Sequence, residues 1–190
     1  MQIRYSPSQT EYPTLSTEQL RASFLVESLF RPGQVELVYT DADRGILGSA
    51  LPTDAPLKLT ADAELRAAFF CERRELGILN LGGAGTVTVD GRNYEVGKLD
   101  CLYVGRGSRE IVFSSREPAS PAAFYLLSYP AHAVFPTTLA RQAEESARAM
   151  SGKVAALEIK VADMTAYRAQ LDELVHSVTR ARDENLAVDL

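Results

Sequence analysis

Arg73 and Arg74 stand side by side between Glu72 and Glu75, just after Cys71. A guanidinium is a planar fork of donors that matches a carboxylate, so this pair could hold an acidic sugar. The same spacing suits an ion pair with Glu72 or Glu75 on a sheet surface, and the sequence leaves both readings open. Two histidines, His132 and His176, and two cysteines, Cys71 and Cys101, are the remaining metal-type donors. Zinc, iron or manganese need about three or four lone-pair donors converging on one point. Cys71 with Glu75 is at most half of such a site, and Cys71 also reads as a core residue with Glu75 paired to an arginine. His132, in PAHAVFPT, lies between prolines and is either structural or turned toward a substrate or neighbouring subunit. His176, with Asp172 and Arg180 four residues away on either side, reads as solvated. Glu72, Glu75, Asp100 and His132 are candidate proton-transfer groups, and spacing alone assigns no acid–base pair. Gly82-Gly83-Ala84-Gly85 lacks the following helix and the lysine of a phosphate loop, so it reads as a turn.

The totals limit what these residues can serve. The 190 residues suffice for one good domain plus an appendage, and 46% hydrophobic content supports a real core. A net charge of −5 gives no electrostatic reason to expect nucleic acid or an anionic membrane as partner. No apolar run approaches the length of a membrane span. The start, MQIRYSPSQTEYP, lacks a basic segment followed by an apolar one, so a cytoplasmic protein is expected, with both cysteines as free, buried thiols.

The elements that must position these side chains are mostly strands. Apolar runs at Leu76–Leu81, Thr86–Val89 and Leu99–Val104 alternate with glycine turns, and Asp90-Gly91 between β-prone runs is a strong hairpin signal. Val35–Tyr39, Ile46–Leu51, Leu57–Thr60, Glu110–Ser115 and Ala122–Leu127 continue the pattern. Short strands at this spacing indicate an antiparallel sandwich or barrel. Residues 1–13 read as an extended arm. Ser16 and Gln19 form a capping box for a helix over 17–29, whose Leu20, Phe24, Leu25 and Leu29 face is expected to pack on the sheet. The composition then shifts. All nine prolines lie at or before Pro136, and residues 137–190 hold one glycine and one aromatic. Met150, Val154, Leu157, Val161, Met164, Leu171, Val175 and Val178 follow 4-3-4-3 spacing, as in a coiled-coil seam or one face of a long helix. The expected fold is therefore mostly β, with domain boundaries at 1–136 for the sandwich and 137–190 for a helical, coiled-coil-like extension.

Glu75 and Gly82 stand at the separation of the glutamate and glycine in the first cupin motif, with Phe69 and Cys71 at its histidine positions. Gly97 and Gly105 fit the second motif, with Tyr103 at its proline and Ser108 at its histidine. The chain thus resembles a cupin scaffold without the metal ligands. The run FFCERRELGILNLGGAGTVTVDGRNYEVGKLDCLYVGRG, with LRASFLVESLF, DRGILGSALP and PAHAVFPT, resembles the N-terminal half of the 5-keto-4-deoxyuronate isomerases, also called 4-deoxy-L-threo-5-hexosulose-uronate ketol-isomerases, over about residues 15–137.

That resemblance implies a cupin-like fold, a homo-oligomer, and conversion of 5-dehydro-4-deoxy-D-glucuronate to 3-deoxy-D-glycero-2,5-hexodiulosonate in the breakdown of pectin and other polyuronides. It implies zinc for the family, held by a second half whose ligand motif this sequence lacks. No metal or other cofactor is therefore expected on this chain, and the isolated chain is expected to be inactive. The substrate-binding candidates are Arg73, Arg74, Glu75 and His132. The other reading is a non-catalytic, metal-free cupin module joined to an oligomerising helical tail. Neither reading brings nucleic acid or membrane as a partner.

Overall fold

A computed structural model describes residues 1–144 and, beyond them, 146, 148–151, 153, 154, 158, 168 and 173. The chain divides into two compact units, Met1–Gln142 and Ala143–Leu190. The first unit contains eleven strands. They are β1 Gln2–Arg4, β2 Val35–Thr40, β3 Ile46–Ala50, β4 Leu57–Lys58, β5 Arg74–Asn80, β6 Gly85–Val89, β7 Arg92–Val96, β8 Cys101–Val104, β9 Ile111–Ser115, β10 Phe124–Pro130 and β11 Thr138–Ala140. A seven-stranded sheet runs β1-β2-β3-β10-β5-β8-β11, and a four-stranded sheet runs β4-β9-β6-β7. All pairings are antiparallel except β1 with β2. The expected mostly β, largely antiparallel sandwich is present.

One core holds the two sheets together. Ile46, Leu76, Ile78, Leu102, Val104, Phe124 and Leu126 of the larger sheet meet Val87, Val89, Val96, Ile111 and Phe113 of the smaller. Alternation explains the selection: β5 reads RELGILN, and its buried positions are Arg74, Leu76, Ile78 and Asn80. The Phe113 and Phe124 rings, one from each sheet, sit 5.3 Å apart and tilted by 37°. Each fully buried aromatic or aliphatic side chain contributes about 1.5–3 kcal/mol of transfer free energy.

The Asp90-Gly91 hairpin joins β6 to β7 in the register Val89↔Arg92. Both turn residues have positive φ, 49° and 81°, the geometry that matches the twist of the flanking strands.

The N-terminal helix departs from expectation. Helix α1 spans Thr17–Phe24, starts at Ser16 with the complete capping box, and buries no residue. Leu25 is already extended, and Phe24 and Leu25 are 57% and 40% exposed. Other partners claim the carbonyls that a longer helix would use. The Arg4 guanidinium donates to Leu25 O, and Ser49 Oγ donates to Leu29 O at 2.5 Å. The segment 25–31 is thus tied to the sheet by its backbone, and the helix is not packed on it by an apolar face.

Both edges of the larger sheet also depart from the sequence reading. Residues 2–4 of the expected arm form β1, and Thr138–Ala140, placed in the helical extension, form β11 against β8. The described residues of the second unit are helical, among them Met150 and Val154. The other positions of the 4-3-4-3 stripe, and His176, lie outside the described residues. No helix among the described residues is long and apolar enough to cross a membrane.

Candidate functional site

Arg74 and Asn80 end the inner row of β5, and each closes one end of the core with polar chemistry. At the far end, Asn80 is fully buried and fully bonded. Its amide nitrogen donates to Gly83 O (2.7 Å) and Val96 O (2.9 Å), and its oxygen accepts from Gly82 N (3.1 Å) and Ala123 N (3.2 Å). That residue fixes the turn after β5, so Gly82–Gly85 is a structural turn in the larger fold.

At the near end, Arg74 is only 8% exposed. Its Nε donates to Ser128 Oγ (3.1 Å), and its Nη2 donates to Arg44 O (2.7 Å) and Ser128 O (2.9 Å). These acceptors are neutral. Burial pulls its pKa below the ordinary guanidinium value, and Arg44 pushes the same way, while Tyr39 and Cys71 oppose. Arg73, just outside the strand, is exposed and donates through Nη2 to Leu65 O (3.2 Å) and Arg66 O (2.6 Å). The ion pair with Glu72 or Glu75 is therefore replaced for both arginines by carbonyl contacts.

A cavity of about 400 Å³ opens here, and Arg73, Arg74, Arg44, Tyr39, Phe70 and Pro130 are among its lining residues. Its walls come from distant parts of the chain: β1, the end of β2, the 64–74 segment and the end of β10. Glu64 also lines it, and the Met1 amine on its wall is paired with Asp62 at 2.6 Å. The lining thus carries three guanidinium groups and one carboxylate.

The other candidates lie elsewhere. Glu75 has the opposite parity to Arg74 and sits on the outer face of the sheet. Its Oε2 accepts from Tyr103 Oη at 2.9 Å, not from an arginine. Burial, then that hydrogen bond to a carboxylate, push the Tyr103 phenol up to about 12. His132 is exposed on the loop between β10 and β11 and does not line the cavity. Glu72 accepts from Ala68 N at 2.7 Å. Asp100 lies beside the Asn80 end, accepting from Gly97 N (2.9 Å) and Gln142 N (3.0 Å). Five residues of strand, about 16 Å, separate the Asn80 end from Glu75. The four proton-transfer candidates are not gathered at one point.

The positions of the cupin metal motifs give no donor set that fits zinc. Phe69 lies under the Arg109 guanidinium, 5.4 Å from its ring centroid. Cys71 is fully buried, and burial pushes its thiol up to about 12, against the thiolate a metal needs. Ser108 Oγ donates to Gly105 O, and Glu75 is turned outward to Tyr103. Among the described residues no group of three or more His, Cys, Asp or Glu could hold a metal ion. Cys71 and Cys101 are both free, and Cys101 is exposed where a buried thiol was expected.

A model of the KduI/IolB family matches residues 24–186. The chain belongs to that family. The match runs well past residue 137, so the family likeness includes most of the stretch that the sequence reading set apart. Among curated relatives, the 4-deoxy-L-threo-5-hexosulose-uronate ketol-isomerase of Shouchella clausii is 47% identical over 140 residues, covering 74% of this chain and 51% of that protein. The protein of the same name from Opitutus terrae is 47% identical over 145 residues, covering 76% and 53%. That from Kineococcus radiotolerans is 40% identical over 179 residues, covering 93% and 61%. The chain spans about half the length of the first two. A cupin protein from Bacteroides fragilis shares part of the arrangement (19% identity, 50% of this chain, 70% of that one, TM-score 0.34), a likeness too slight to argue from.

The structure therefore unites Arg73 and Arg74 at one cavity and separates Glu75 and His132 from it. Arg44 and Tyr39 were missed. A signal for Arg74 was present: it shares parity with Leu76 and Ile78, which places its guanidinium on the core side.

Proposed function

We propose that this chain serves the ketol-isomerase chemistry of its relatives, with 4-deoxy-L-threo-5-hexosulose uronate as substrate. The observation that supports this reading is 47% identity to a ketol-isomerase over 140 residues, 74% of this chain. The reaction moves a carbonyl along the sugar through an enediol by proton transfer, and it needs the acid held in one orientation. Arg73 and Arg74 are the groups suited to that holding. Because the described residues do not fit zinc, no step is assigned to a metal, and no resident cofactor is proposed for them. A cytoplasmic place in pectin or polyuronide breakdown and a homo-oligomeric state belong to the same proposal and rest on the family resemblance.

Turnover of the keto-deoxyuronate by the folded 190-residue chain, with and without added zinc, tests it. Formation of the 2,5-diketo acid is expected on this reading, in place of the inactivity that the sequence alone suggested for the isolated chain; folded protein that gives no product in either condition overturns the reading.

A further inference from the structure

We propose that the cavity at the Arg74 end of the sandwich is a carboxylate-binding site for a monosaccharide-sized acid, with Arg74 as its buried anchor and Arg44 as its rim contact.

The donor inventory of Arg74 carries the inference. A guanidinium has five N–H groups. The single N–H of Nε goes to Ser128 Oγ, and Nη2 goes to Arg44 O and Ser128 O. That leaves Nη1, which has no hydrogen-bond partner among the described residues. The rest of the side chain is locked by those three contacts, so the free edge of the fork is held in one direction at low entropic cost. Arg74 lines the cavity and is 8% exposed.

The charge around it points the same way. A buried cation is stable when an anion compensates it, and carbonyl dipoles do so only in part. The groups that act electrostatically on Arg74 are Tyr39, Cys71 and Arg44, with no aspartate or glutamate among them. Arg44 is exposed at the rim, and its side chain has no hydrogen bond to the described residues. The carboxylate of Glu64 opposes an anion, but Glu64 is exposed, where solvent screens it. The net field in the cavity is therefore positive.

Size and lining select the class of acid. About 400 Å³ is ample for a monosaccharide and falls in the range of small-molecule sites. Tyr39 and Phe70 supply ring surface for a sugar face, and the Tyr39 hydroxyl can bond to a sugar hydroxyl. This deepens the reading above for the same cavity, yet capture of a carboxylate stands apart from turnover and can be measured without it.

Calorimetric titration of the full chain with D-glucuronate, D-glucose and acetate tests the site. Glucuronate is expected to bind, glucose not to saturate, and acetate to bind more weakly than glucuronate. Arg74→Met is expected to weaken glucuronate binding by about tenfold or more, the loss of one charge-assisted contact. If Arg74→Met does not fold, Arg44→Gln decides, because that side chain bonds to nothing in the described fold; it is expected to weaken binding by about threefold to tenfold. Equal binding of glucose and glucuronate, no binding of glucuronate, or unchanged affinity in a folded variant overturns the proposal. Glucuronate binding without turnover would uphold it while defeating the isomerase reading.

Discussion

Replacing Asn80 by aspartate changes one atom type at a fully buried site and leaves the volume almost unchanged. The native amide donates to Gly83 O at 2.7 Å and Val96 O at 2.9 Å. An aspartate oxygen in that place faces two carbonyls with no proton to give. Two net hydrogen bonds of about 1 kcal/mol each are lost, and desolvation of an orphaned acceptor adds about 1–3 kcal/mol, for a total of about 3–5 kcal/mol. At roughly 3 °C per kcal/mol for a domain of this size, Tm should fall by about 10–15 °C. The loss should depend on pH. Burial and the facing carbonyls raise the carboxyl pKa in the fold above its unfolded value near 4. A raised folded pKa means that the protonated form is favoured in the fold. The destabilisation is therefore fullest above the folded pKa and shrinks as pH falls toward the unfolded value. Urea unfolding of both proteins at neutral and acid pH measures this. A loss under 1 kcal/mol at neutral pH, or a loss that grows on acidification, would refute the idea that Asn80 organises this end of the sandwich.

Other outcomes follow from the same geometry. Tyr103 should ionise near pH 12 rather than at its ordinary 10, so the stability this contact gives is full below about 10 and falls as pH rises through about 12; Glu75→Gln should lower that midpoint in an ultraviolet titration. Cys101 should react with a maleimide in the native state well before Cys71, and Cys101→Ser should abolish the fast phase in a mass-spectrometric time course. A Cβ at position 105 would lie 1.9 Å from Phe135 O, so Gly105→Ala should cost about 1–3 kcal/mol by chemical denaturation, through displacement of the loop that leads into β11.

Local signals were legible in the sequence. The capping box at Ser16 and Gln19 and the Asp90-Gly91 hairpin depend on neighbours a few residues away, and both are present. The end of α1 was not legible, because the groups that satisfy Leu25 O and Leu29 O come from Arg4 and Ser49. The strands β1 and β11 were hidden for a related reason. Three-residue edge strands have little periodicity of their own and exist by pairing with β2 and β8. At the site, Arg73 and Arg74 could be named from their chemistry. Arg74 faces inward by strand parity, whereas Arg73 precedes the strand and its place at the cavity is set by the turn before it. The cavity itself is closed by Tyr39 and Arg44, some thirty residues away, and by Ile3 from the first strand. No short-range pattern announces a contact of that kind. Glu75 was drawn in by motif spacing, but its odd parity sends it to the opposite face.

A crystal structure of the full chain with the keto-deoxyuronate bound is the most direct test of the site that the proposed function depends on. The expected result is a carboxylate within hydrogen-bond distance of Arg74 Nη1, with Arg44 closing over it. Ligand seated elsewhere, or an empty Arg74 cavity at saturating ligand, would contradict it.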